Sequence, residues 1–290
     1  GKVERSDDGA AAKITEDHGY GIFATDGSIV SATDSGSNGS AITITGKYEK
    51  PSSNAPTNGE NAGRQTENNP TGENYAIVNI SDTNRATYNV DDTGAIVNLA
   101  KTTVKDTEIK VEGDLAVGIY GENRTNAKAS DVTISYDDKT LAKGIDVENK
   151  DATSPDARGV GIVLIDNASN STADATRNGG EITLNGFAGK LGQYGIQNNN
   201  IVTGKNGIGI YAQSADIKLD SDDFTIETGN DGVGIWLTDD SNLAVGANHN
   251  KTLNYNYNGD NDKNGFALAF SGTRTSVDTT ATNYLDIKFN

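Results

Sequence analysis

The side chains of this sequence that could carry chemistry are few and widely scattered. Two adjacent carboxylate pairs, Asp222-Asp223 and Asp239-Asp240, come nearest to the acid and base that glycoside cleavage requires. Adjacent residues of a strand point to opposite faces, and both pairs stand among turn-forming residues. Neither a Gly-His-Gly nor an Arg-x-Lys signature of pectin-type hydrolases accompanies them. Thr33-Asp34-Ser35-Gly36-Ser37 echoes the nucleophile segment of chymotrypsin-like proteases, with Thr33 where the first Gly should be. A triad also needs a histidine base oriented by a carboxylate. The chain has two histidines, His18 and His249, and neither is placed for that role. Asp260, Asp262 and Asn264, followed by Gly265, match the first half of a calcium loop. The twelfth position would be Ser271 rather than a bidentate Glu, and no helical pattern flanks the segment. Cysteine is absent, which removes disulfides, thiolate catalysis and Cys-ligated zinc or iron–sulfur centres. No catalytic residue and no cofactor are therefore expected. Asp260, Asp262 and Asn264 remain the one metal candidate, and a polysaccharide-degrading enzyme is the alternative carried forward.

Binding is better supported than turnover. Phe23, Tyr120, Tyr211 and Trp236 each occupy the same place in a recurring strand pattern, where rings could stack on sugars or anchor a protein. Tyr255 and Tyr257, flanked by Asn254, Asn256 and Asn258, form a second candidate, read as an aromatic and amide-rich loop.

The pattern that must position these residues is Gly-φ-Gly-Ile-aromatic, where φ is apolar. Its copies begin at Gly19, Ala116, Gly159, Gln193, Gly207, Gly232 and Gly265, and Asn74-Tyr75-Ala76-Ile77-Val78 is a degenerate eighth. Strand alternation places the second and fourth residues together. The expected core is thus two stacks, one of Tyr20, Val117, Val160, Tyr194, Ile208, Val233 and Phe266, the other of the fourth-position Ile or Leu. Glycine at the third position is expected on the opposite face. A second strand class alternates apolar and polar residues, as in Ile109-Lys110-Val111, Ile182-Thr183-Leu184 and Ile217-Lys218-Leu219. Gly, Asn, Asp and Ser clusters separate the strands and supply turns.

Gly209 and Gly234 are 25 residues apart, which suits one coil of three strands and three turns. Gly161 to Gly195, at 34, needs an insertion, whereas Gly195 to Gly209, at 14, is too short for a coil. The expected architecture is all-β: a right-handed single-stranded parallel β-helix, or β-solenoid, with inserted loops. It is read as one segment over 1–290, with a long insertion at 47–74 and shorter ones at 122–131, 167–180 and 248–264.

Composition agrees with a thin core. Hydrophobic residues are 34% of 290, too few for one thick globule. Net charge is −17, with no Lys or Arg stripe, so nucleic acid is not expected as a partner. No stretch approaches the roughly 18 apolar residues of a membrane-spanning helix. A chain with no Met that starts at Gly1 reads as a piece of a longer protein.

The Gly-φ-Gly-Ile-Tyr strands, their Ile-x-Val and Ile-x-Leu partners and the Asn/Gly-rich turns resemble passenger domains of type V (classical) autotransporters. They are most similar to the large fusobacterial-type outer-membrane adhesins. The resemblance covers nearly the whole chain and lies in its repeat. It implies a segment displayed on the bacterial cell surface, adhering to host cells or other bacteria through a protein or glycan receptor. Membrane attachment would come only from a C-terminal barrel beyond this sequence. A monomer is expected, and a structural spacer or stalk without its own ligand is the alternative. The resemblance marks no receptor-contacting residue.

Overall fold

The computed structural model of the chain describes residues 3–5, 11–15, 19–25, 29–33, 40–45, 73–81, 100–105, 107–112, 115–123, 130–135, 144–148, 159–166, 181–185, 200–220, 223–245, 251–260, 264–273, 275–278 and 285–289. Within these residues the fold is all-β, and the strands lie in three sheets. Consecutive strands go to different sheets in a fixed rotation. Ile201–Thr203 is in the first sheet, Ile208–Gln213 in the second and Asp216–Leu219 in the third; Asp223–Thr228, Val233–Thr238 and Asn242–Val245 repeat the order. Each strand therefore pairs with the one three places later, and every such pairing is parallel; Val3–Arg5 alone pairs antiparallel, onto Ala11–Thr15.

Like residues stack because the ladders are in register. In the second sheet Ile22, Ile77, Ile119, Ile162, Ile210, Ile235 and Leu268 are successive partners. The five inner members are at most 1% exposed, and Ile22 and Leu268 pack against them at the two ends. In the first sheet Ile109, Ile145, Ile201 and Ile226 form an equivalent column. Ile182, Ile217 and Leu243 do so in the third. All belong to one continuous core. The alternating strands, which look like one class, are in fact divided between two sheets: Ile109-Lys110-Val111 is in the first, and Ile182-Thr183-Leu184 and Ile217-Lys218-Leu219 are in the third.

The face assignment of the glycine strands needs correction. Tyr20 and Phe266, on the two edge strands, are 50% and 53% exposed, and Val160, Ile208 and Val233 are half-buried; with Val117, which is buried, they stand outside the core cluster, so the second column faces outward. The third-position glycines are the ones that point inward. A β-carbon on Gly161 would meet Ile201 Cγ2 at 2.5 Å, and one on Gly209 would meet Ile226 Cγ2 at 2.5 Å. The ladder pairs Ile208 with Val233 and Ile210 with Ile235, but the glycines between them make no pair of their own. A bulge-like kink at the glycine turns two consecutive residues, Gly and Ile, toward the core, and this flips the residue before them outward.

Spacing is also resolved. Val160–Asp166 pairs directly with Ile208–Gln213, so no strand from the copy at Gln193 stands between them in this sheet. That copy, with Tyr194 and Ile196, lies outside the described residues. The interval of 14 thus does not separate two neighbouring rungs; Gly161 is followed by Gly209.

Tight turns join the sheets where spacing is shortest. Asn206 and Asp231, both at φ 55, occupy the same place in successive turns, and Ser214, Asp239 and Asp240 are also left-handed. Asn and Asp tolerate this region best after glycine. Of the expected insertions, 167–180 falls between Val160–Asp166 and Glu181–Asn185, outside the described residues. The other bounds shift. Glu73 and Asn74 belong to Glu73–Ser81; Glu122 belongs to Leu115–Asn123, and Asp131 to Ser130–Ser135. The segment 248–264 is not a plain loop, because Lys251–Tyr257 is a strand of the first sheet paired on both sides.

Candidate functional site

The outward face of the second sheet is built by three columns of the glycine strands. The second position supplies Tyr20, Tyr75, Val117, Val160, Ile208, Val233 and Phe266. The fifth supplies Phe23, Val78, Tyr120, Val163, Tyr211, Trp236 and Ala269, and the seventh supplies Ile80, Glu122, Ile165, Gln213, Thr238 and Ser271, in the same registers. Of these 20 positions only Glu122 is a charged type, in a chain of net charge −17. The other sheets are different outside. The first carries Lys110 against Asp146 at 3.5 Å and Lys288 against Asp286 at 3.9 Å, and Lys218 beside the third meets Asp220 at 3.7 Å.

Phe23, Tyr120, Tyr211 and Trp236 therefore share one face and one column, with Val78 and Val163 interposed. Phe23 is 56% exposed; Tyr120, Tyr211 and Trp236 are half-buried. Their rings interlock along the stack. Tyr211 meets Trp236 edge to face at 5.9 Å, and Tyr75 meets Tyr120 similarly at 5.9 Å. Tyr20 stacks on Tyr75 at 5.4 Å and touches Phe23 edge-on at 5.3 Å. Polar ends are tied to the sheet: Tyr120 Oη donates to Glu122 Oε2 at 3.0 Å, Tyr211 Oη to Gln213 Oε1 at 3.1 Å, and Trp236 Nε1 to Ser271 Oγ at 2.9 Å. These bonds hold the rings in place, so a partner would meet a preorganised apolar surface.

Sequence reasoning found the fifth column and missed the second, because simple alternation sends Tyr20, Tyr75 and Phe266 inward. The available signal was the invariable small residue between positions two and four. With room there for a methyl group at most, the strand does not keep its ordinary alternation.

Tyr255 and Tyr257 do not join this face. Tyr255 continues the Ile226 column, 1% exposed, and its ring is 3.0 Å from where a β-carbon on Gly234 would stand. Its hydroxyl shares a 2.7 Å hydrogen bond with Thr228 and donates to Gly232 O at 3.3 Å. Burial pushes the phenol above its ordinary value, against the lowering effect of the Thr228 bond. A phenol with a raised value stabilises the fold below the unfolded value, about 10, and that contribution is lost as pH rises through the folded value. Tyr255→Phe is expected to cost about 1 kcal/mol at neutral pH. It should also flatten the fall in unfolding midpoint above pH about 10; circular-dichroism melts of both proteins across that range check it. Tyr257 donates to Asn230 Oδ1 at 2.9 Å and to Asp260 O at 3.1 Å, closing a turn.

Of the calcium candidates, Asp260 and Asn264 lie within the described residues. Asp260 Oδ2 accepts from Asn230 Nδ2 at 2.8 Å, and Asn264 O accepts from Asp231 N at 2.7 Å, as in a hydrogen-bonded turn. Asp262 lies outside the described residues. Among the described residues no group of three or more His, Cys, Asp or Glu side chains could hold a metal ion. Asp239 and Asp240 are turn residues, and Asp239 Oδ2 accepts from Thr238 Oγ1 at 3.2 Å. Asp223 begins a strand; Asp222, His18, His249 and 34–37 lie outside the described residues.

Compared with protein-family models, with curated proteins and with solved structures, the chain matches none.

Proposed function

We propose that the chain is a right-handed, single-stranded parallel β-helix, a segment of a larger autotransporter passenger displayed on the bacterial cell surface. In this reading it acts as an adhesin, binding a protein or glycan receptor on host cells or on other bacteria. Support for the winding comes from the three-sheet rotation, since crossovers between parallel strands are right-handed in about 98% of cases. The observation that carries the binding role is the outer face of the second sheet, where one position in 20 is charged and aromatic rings interlock. Apolar and aromatic residues exposed together on a protein surface mark interaction sites. Among the described residues nothing comparable supports the spacer or the polysaccharide-degrading alternatives: Asp239 and Asp240 lie in a turn.

The test is competition. Added to cells that display the parent protein, the isolated chain should block their adhesion in a dose-dependent way. The double variant Phe23→Ala, Trp236→Ala should block at least about tenfold less well, as expected for loss of two ring contacts of about 1–2 kcal/mol each. No competition at any dose would leave the spacer reading; reducing-end release from a polysaccharide by the chain would favour the enzyme.

A further inference from the structure

We infer that two copies of this chain pack face to face through the outer face of the second sheet. The inference does not rest on the adhesin reading, and it replaces the expectation of a monomer. Three observations carry it.

Charge selects the face. A chain of net charge −17 repels its own copies over most of its surface. The three outer columns of the second sheet are the exception: their one charged type is Glu122, 7% exposed and bonded to Tyr120, while Glu73 and Asp166 stand at strand ends of the sheet. A strongly basic partner would be drawn to the acidic remainder of the molecule. An uncharged face suits a surface that is equally uncharged, and the chain itself supplies one.

Shape allows close approach. Beside Ile208–Gln213 and Val233–Thr238 the chain leaves the sheet through short turns, closed by Gly207 N donating to Gly204 O at 3.0 Å and Gly232 N to Gly229 O at 3.1 Å. At the other end of these strands Ser214 N donates to Asp239 O at 2.8 Å. These two rungs thus have no insertion beside them. Two such sheets can stack about 10 Å apart, as in a β-sandwich.

The sheet as a whole has the area of a small interface. Seven strands about 4.8 Å apart make a strip roughly 30 Å long, and six residues at about 3.3 Å make it roughly 20 Å wide. The resulting 600 Å² or so in projection approaches the about 800 Å² per partner typical of stable interfaces. β-Branched residues between rings, such as Val160, Ile208 and Val233, are the material of sheet-on-sheet cores rather than of sugar platforms.

Sedimentation velocity of the 290-residue chain over a wide concentration range tests the inference. The expected result is a concentration-dependent dimer, accompanied by a blue shift in the emission of Trp236, the one tryptophan in the sequence. Ile208→Asp should weaken the dimer at least about tenfold by placing an unpaired carboxylate in the interface. Lys218→Glu, on another sheet, should leave it unchanged. Should Ile208→Asp fail to fold, Phe266→Asp, at a half-exposed site, makes the same test. A chain that stays monomeric at all concentrations overturns the inference, as does a dimer insensitive to both variants. So does a Trp236 shift produced by a neutral oligosaccharide such as cellohexaose in a chain that does not self-associate, which would assign the face to glycan. Failure of cell-adhesion competition, by contrast, bears on the adhesin reading and leaves the dimer standing.

Discussion

Ile210→Asp lowers the unfolding midpoint by roughly 10 °C, while Ile208→Asp, two residues earlier in the same strand, moves it by no more than about 2 °C. Ile210 is fully buried in the isoleucine column between Ile162 and Ile235, where a carboxylate finds no partner and no water. Such a group costs on the order of 4–5 kcal/mol. Ile208 lies on the far side of the kink and faces outward, so its replacement loses only strand propensity and part of a surface contact, about 1 kcal/mol or less. In an ordinary strand the two residues would share a face and respond alike. Thermal melts followed by circular dichroism, at concentrations low enough to keep the chain monomeric, decide the matter. Equal losses at the two positions would return Ile208 to the core and dissolve the proposed binding face.

The second large effect is expected at the glycine column. Gly209→Val should destabilise the fold by about 3 kcal/mol or more. Its β-carbon would stand 2.5 Å from Ile226 Cγ2 and 2.5 Å from the carbonyl oxygen of Gly234. The first is a side chain of the opposing column and the second is backbone of the next rung, so neither can yield without opening the stack. Gly209→Ala should cost less, about 1–2 kcal/mol, because Ala76 and Ala267 occupy the same position in other rungs, both buried. Chemical denaturation of the three proteins checks the order Gly, Ala, Val. A valine tolerated at position 209 would mean that the first and second sheets are not in contact there.

Much of this fold was legible in the sequence because it repeats. The Ile or Leu at the fourth motif position predicted a column, and six of its seven proposed members fall in register with Ile77 added. Alternation in strands such as Ile109-Lys110-Val111 likewise gave buried and half-exposed residues in turn. Tyr255 was not legible. Asparagines on both sides suggest a polar loop, yet the ring replaces isoleucine in the first-sheet column, where its hydroxyl meets Thr228 instead of water. An aromatic with a polar tip can be buried wherever one partner is within reach, and a partner 27 residues away cannot be read from local pattern.

The sequence by itself determined the all-β class, the positions of most strands and the side chains that stack, since each follows from a periodicity of two and from recurrence. Only the tertiary structure decided which residues face outward on the glycine strands and how many rungs lie between two copies. The reason is that a single glycine changes the parity of a strand only when another sheet presses against it. Here the methyl groups of Ile145, Ile201 and Ile226 fill the space that a side chain would need. That contact turns Val117, Val160 and Ile208 out of the core and makes a candidate binding face from what looked like packing.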